Sequence, residues 1–349
     1  MKPTWYECDQ RYLPAHHQPA LLLDLLLVRD AGSHKVLKGT GLFYEDIIEG
    51  NRHISALQFQ QLISNSQKLA PEGDLSFRWG DNLWPGHYGL GSQLLSNAPD
   101  LKRALQALVQ FRHTLSPLLV PRVFEDEHYC YVQWLETCCD LASLRPFMVE
   151  TSMMALTSLS RWQSQTSLPW RYGFSYQAPT KGIEQYQVHL GEKLMFGLGV
   201  DVMVIEKRWL EQAWPKGSVT AFRASWHEAT QSDPVPESLS GFCESVYDWL
   251  VKHIQQPVTL ADVALAFDMS SATLKRKLKK HRTSFQQIQD QARLHVCLYL
   301  LHVKGMNNEQ VAQQLLFNDL TNFRRAFKRW SGLTPSASRQ QFQLHSLAL

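Results

Sequence analysis

The chain has 349 residues, 44 % of them apolar, with 35 Lys and Arg against 32 Asp and Glu. Such a composition fits a soluble globular protein of two or three domains. The net charge of +3 conceals a polarised chain: residues 251–349 carry 14 Lys/Arg and 5 Asp/Glu, a net of +9, whereas residues 1–250 carry 21 and 27, a net of −6.

From the N-terminus, Met1 to Gln18 is polar and aromatic, with no basic-then-apolar leader, and the apolar run Ala20 to Val28 is broken by Asp24 and too short to cross a bilayer. The cytoplasm is therefore the expected compartment, with no membrane partner. Cys8, Cys130, Cys138, Cys139, Cys243 and Cys297 form neither a CxxC pair nor a His/Cys array with zinc spacing. Reduced structural thiols and no metal site are expected. Gly86-x-x-Gly89-x-Gly91 has the wrong order for a dinucleotide fingerprint and reads as turn glycines.

Asp100 to Arg112 sets Leu101, Ala104, Leu105, Leu108 and Phe111 on one helical stripe, with Asn97 and Pro99 as start signals. Arg122 to Leu135 reads as two strands around Glu125-Asp126-Glu127, whose consecutive carboxylates point apart and suit a solvated turn better than a cation site. A helix over Phe147 to Trp162 follows, then strand-like Arg171 to Gln177 and Gln185 to Leu190, and an apolar run from Val200 to Ile205. This half is α+β.

Aromatic side chains crowd the same half. Ligand sites are mostly apolar with a few polar anchors, so the candidate ligand-binding residues are Arg78, Trp79, Trp84, Tyr88, Arg171 and Tyr172. The two arginines suit a carboxylate-bearing metabolite. The competing reading of each is a core aromatic or an arginine that snorkels to the surface. No HExxH, GxSxG or GxxxxGKS/T occurs, so no catalytic residue and no cofactor is assigned.

Residues 223–240 are polar and contain Ser232-Asp233-Pro234-Val235-Pro236, which cannot continue a helix because proline lacks an N–H and disfavours α conformation before it. A boundary is placed there, between an N-terminal domain at 1–222 and a C-terminal domain at 241–349. Gly241 to Gln255, with Phe242, Val246, Trp249, Leu250 and Ile254 at helical spacing, reads as the entry helix of the second domain.

Two degenerate helix-turn-helix copies then follow. In the first, Leu260 to Ser270 carries Val263, Ala264 and Phe267 on one face, and Ser270 or Ser271 caps a helix running to Lys280. Leu274 and Leu278 face inward there, while five of the seven positions 274–280 are cationic. In the second, Asn308 to Asp319 precedes a helix from about Leu320 to Trp330, with Phe323 and Phe327 as the buried stripe. Phe285 to His302 reads as one long linker helix, ended by Gly305. The candidate DNA contacts are Ser271, Thr273, Lys275, Arg276, Lys277, Lys279 and Lys280 in the first head, and Thr321, Asn322, Arg324, Arg325, Lys328 and Arg329 in the second. Two such heads on one linker reach successive major grooves about 34 Å apart, and the +9 field of this half attracts phosphates.

The stretch Phe317-Asn318-Asp319-Leu320-Thr321-Asn322-Phe323-Arg324-Arg325-Ala326-Phe327-Lys328-Arg329-Trp330-Ser331-Gly332-Leu333-Thr334-Pro335 resembles the C-terminal signature of the AraC/XylS family of transcription regulators, and Arg293 falls where the family carries a linker-helix arginine. Leu316 and Asp268 stand where the family has turn glycines, and Ser338 where it has an aromatic. Gly86 to Leu105 and His189 to Phe196 resemble the arabinose-binding-like sensory domain of a subgroup. The resemblance implies an α+β N-terminal sensory domain followed by an all-α DNA-binding domain with two helix-turn-helix subdomains joined by a long linker helix. It further implies double-stranded DNA as partner, a small-molecule effector, a homodimer, and RNA polymerase as a further partner if the protein activates. Two alternatives compete: an enzyme domain fused to a DNA-binding tail, and a constitutive DNA-binding protein whose first domain only dimerises.

Overall fold

In the computed structural model residues 5–232 and 239–341 are described, so Asp233-Pro234-Val235-Pro236 of the expected linker lies outside the described residues. The N-terminal half is built on a five-stranded sheet with strands in the order Leu119–Glu125, Tyr129–Glu136, Val202–Glu206, Arg171–Gly173 and Leu194–Met195. Neighbours are antiparallel except the last pair. The hairpin forms around the acidic turn as expected, because Asp126 Oδ1 accepts from the backbone N–H groups of His128 and Tyr129 at 2.7 Å each.

Helices cover one face of this sheet. The long helix Arg145–Ser164 packs against Leu75–Leu83 at close range. Gly80 makes that approach possible, since a Cβ there would lie 2.5 Å from the Thr151 carbonyl oxygen. The helices Gln18–Leu27, Ala56–Leu69 and Leu101–Gln110 complete the layer, and Phe59, Phe77, Trp79 and Trp134 are buried within it.

The opposite face of the sheet is buried too, and by the C-terminal half. Along Tyr129–Glu136 the side chains of Cys130, Val132 and Trp134 enter the helical core, while Tyr131 and Leu135 point the other way and join the cores of the two helix-turn-helix heads. Along Val202–Glu206, Met203 and Ile205 face the first core, and Val202 and Val204 face the second head. Period-two alternation delivers each strand to two different cores. The sheet is thus a wall shared by both halves. Ion pairs reinforce it: Arg112 and Arg122 each reach Glu244 at 3.0 Å, and Arg122 also holds Asp248 at 2.7 Å. Burial raises the Glu244 carboxyl above its ordinary value against the pull of both arginines.

Four segments differ from their sequence reading. Gln185 to Leu190 is not a strand but part of the helix Ile183–Leu190, bounded by Gly182 and Gly191 at φ +82° and +89°. Its alternating residues suggest a strand, but Tyr186 and Leu190, four apart, are buried while Val188 is 76 % exposed. Only Arg171–Gly173 of the expected Arg171 to Gln177 strand pairs in the sheet. The polar stretch from 223 continues the helix Val219–Ser232, whose Phe222 and Ala229 are buried, with Trp226 edge-on to Phe111. The linker helix is α-helical over Phe285–Leu298 and then opens into a π-helical turn over Tyr299–Val303.

Candidate nucleic-acid interface

Each reading head is assembled by local side-chain chemistry. In the first, Thr259 Oγ1 caps Leu260–Ala266 by accepting from Asp262 N–H, and Asp262 returns the bond to Thr259 N–H at 2.8 Å. This reciprocal box satisfies two orphan donors. The recognition helix Ser271–Lys280 is capped by Ser270, whose Oγ accepts from Thr273 N–H at 3.1 Å. In the second head Asn307 forms the same kind of box with Gln310, and Asp319 Oδ1 accepts from Asn322 N–H at 2.7 Å to start the recognition helix Leu320–Ser331. Gly332, at φ +77°, ends it.

The turns keep left-handed geometry without glycine. Asp268 sits at φ +53° and Leu316 at φ +60°, a conformation that costs an L-residue roughly 1–2 kcal/mol. Ser338 is buried and within 3.0 Å of His302 Nε2, which ties the helix Pro335–Gln341 to the π turn. Arg339 beside it donates to the Met306 carbonyl at 2.7 Å.

The expected inward stripes are buried: Leu274 and Leu278 in the first head, Phe323 and Phe327 in the second. Of the candidate DNA contacts, Lys275, Arg276, Lys279, Lys280, Thr321, Asn322, Arg324, Arg325, Lys328 and Arg329 are exposed, and Ser271, Thr273 and Lys277 are half-buried. Some are already engaged. Asn322 Nδ2 donates to Asp319 Oδ2 at 2.7 Å, and Arg329 lies 3.3 Å from Asp290, which also accepts from Trp330 Nε1 at 2.8 Å.

Against this geometry stand the comparisons with known proteins. A family model described as the arabinose-binding domain of AraC transcription regulators, N-terminal, matches residues 32–213, and a helix-turn-helix domain model matches 263–341. The chain belongs to the AraC family of transcription regulators. An uncharacterized HTH-type transcriptional regulator of Mycobacterium tuberculosis is 40 % identical over 329 residues, covering 90 % of this chain and 93 % of the relative. The ornithine utilization regulator of Pseudomonas aeruginosa is 24 % identical over 321 residues, covering 91 % and 94 %. The regulator AdiY of Escherichia coli is 34 % identical over 92 residues, 26 % of this chain and 36 % of its own. Both the α+β sensory domain and the helical DNA-binding domain of an AraC-type regulator are therefore present. No helix among the described residues is long and apolar enough to cross a membrane.

In this AraC-type regulator the six candidate effector residues all belong to the N-terminal domain. Trp79 and Tyr172 are core side chains, the latter with its hydroxyl 2.8 Å from Thr157 Oγ1. Trp84 Nε1 donates to the Leu115 carbonyl at 3.0 Å and Tyr88 Oη to the Leu83 carbonyl at 2.7 Å. Exposed Arg78 pairs with buried Asp74, and buried Arg171 lies over the Tyr129 ring, 5.3 Å from its centroid.

Residues far away in sequence also meet the first recognition helix. The segment after the short strand Trp5–Tyr6 brings Glu7 against Lys277 and Lys280, the latter at 2.9 Å, and Asp9 within 2.6 Å of Lys280. Burial disfavours the Glu7 charge, but hydrogen bonds from the two lysines outweigh it and bring its carboxyl down to about 2. His281, next in the chain, is buried against the Cys138 carbonyl, and loss of solvent lowers its pKa to about 4 despite nearby Glu7. No local pattern announces these contacts, because some 270 residues separate the partners.

Proposed function

We propose that this regulator binds an inverted or direct pair of DNA sites as a homodimer, using both heads of each protomer, under control of a small-molecule effector. The observation that carries the reading is the pairing, in both heads, of a capped left-handed turn with an exposed cationic recognition face. Lys275, Lys279 and Lys328 are flexible point charges suited to phosphates, whereas Arg324 and Arg325 present planar forks suited to base edges. RNA polymerase is the further partner if the bound state activates.

The test is a footprint of the full-length protein across the DNA flanking its own coding region, followed by binding over a salt series. Lys275→Ala should weaken specific and random duplexes alike and reduce the salt slope by about one. Arg325→Ala should cost about 1–3 kcal/mol on the best site and relax one position. Equal shifts of specific and random DNA by both variants refute the assignment. Ligand-dependent thermal stabilisation separates a sensor from a constitutive binder.

A further inference from the structure

We propose that the effector site lies in the seam between the sheet and the linker helix, and that its occupant is an uncharged single-ring aromatic molecule bearing one hydrogen-bond acceptor. The inference rests on the regulator reading above. A cavity of about 200 Å³ opens there, with Phe124, Tyr131 and Val202 from the sheet on one side and Val296, Tyr299 and Val303 from the helix on the other. A dry apolar cavity of roughly 150 Å³ accepts benzene, so this one holds a six-membered ring with a short polar arm. Aromatic edges and faces already meet at its wall: Phe124 stacks on Tyr131 at 5.1 Å and meets Tyr299 edge-on at 5.4 Å.

Three features set the chemistry. First, no Lys, Arg, Asp or Glu lines the cavity among the described residues, so a carboxylate or ammonium would lose its hydration with no countercharge. Second, Gln133 is 8 % exposed, and its Nε2 is buried with no hydrogen-bond partner among the described residues. An orphaned buried donor is costly, and a ligand carbonyl or hydroxyl oxygen would satisfy it. Third, the wall on the helix side is the π turn Tyr299–Val303, a widened geometry that recurs at functional sites. Other polar groups of the lining have partners: Tyr247 Oη and His295 Nδ1 lie 2.9 Å apart, His302 Nε2 lies 3.0 Å from Ser338 Oγ, and Tyr131 Oη donates to Asp126 Oδ2 at 2.7 Å.

The cavity's two walls belong to different domains. An occupant therefore binds the docked arrangement in preference to a separated one and shifts the population toward it. In the docked arrangement Lys277 and Lys280 are held by Glu7, so occupancy lowers DNA affinity.

The experiment uses the full-length protein with methyl-labelled valines, titrated with acetophenone, with ethylbenzene as the probe that has the same ring and carbon chain but no acceptor and with benzoate as the charged one. Acetophenone should saturate and move the methyl resonances of Val200, Val202 and Val296. Ethylbenzene should bind about threefold to tenfold more weakly, the worth of one hydrogen bond, and benzoate should leave the resonances in place. Gln133→Leu should erase the difference between the first two probes. Val296→Trp, which fills the cavity, should abolish all shifts; should that variant unfold by circular dichroism, Gln133→Leu carries the test. Undisturbed valines with both neutral probes, or benzoate binding best, overturns the site. Saturable binding that leaves affinity for the footprinted DNA unchanged overturns its role as the effector site. Failure of the regulator reading is distinct, being the absence of any footprint before a probe is added.

Discussion

Replacing Glu7 by Gln removes the carboxylate that grips the end of the first recognition helix while keeping its shape. A carboxyl brought from its ordinary 4.5 to about 2 corresponds to at most ~3.4 kcal/mol, and solvent around Lys280, whose side chain is 38 % exposed, screens this to about 1–2 kcal/mol. Glu7→Gln should therefore destabilise the docked arrangement by about that amount and free Lys277 and Lys280 for phosphate. If the clamp competes with DNA, affinity should rise about fivefold to thirtyfold, and the salt slope should steepen by up to about two. Because the folded-state pKa of Glu7 is depressed, its contribution is present above about 4.5 and is lost as pH falls toward about 2. The wild-type protein should thus lose this interdomain stabilisation over that window, and the variant should show no such component. Fluorescence anisotropy with the footprinted duplex over a salt series, beside pH-dependent melting, measures both. A variant with lower Tm but unchanged DNA affinity and slope would show that the clamp is purely structural and refute the competition.

Phe327→Ala should abolish DNA binding through folding, since removing a fully buried ring costs roughly 3–5 kcal/mol; loss of helical circular dichroism should accompany loss of binding, and a folded variant that fails to bind would contradict this. Leu316→Gly should stabilise the protein by about 0.5–1 kcal/mol, because relief of the left-handed strain at φ +60° exceeds the entropy glycine adds to the unfolded chain; a fall in Tm would refute it. A fragment of residues 239–341 leaves Leu294, Leu298 and Leu301 without the sheet residues that share their core, so it should bind a hydrophobic dye and melt below the full-length protein, whereas equal stability would argue that the domains fold independently.

Much of the DNA-binding half is legible locally. Caps such as Ser270, Asn307 and Asp319, inward pairs such as Leu274 with Leu278 and Phe323 with Phe327, and the cationic residues left facing outward all act within a few positions of one another. One or two turns of helix settle their roles. Even Asp268 and Leu316 adopt the turn that their sequence position requires, because the surrounding heads impose it despite the missing glycines.

The relation between the halves is decided otherwise. The uninterrupted apolar run at Val202 to Ile205 lacks the polar alternation of a half-exposed strand. It cannot say that helices cover one face and the reading heads the other. The same holds for Gln133, an ordinary strand residue until the linker helix closes over it, and for Glu7, unremarkable until folding sets it beside Lys277. Periodicity and capping are short-range, so sequence carries them in full. Burial of a strand's second face, the orphaning of a donor and the pairing of charges 270 residues apart depend on which surfaces meet, and only tertiary packing brings those surfaces together.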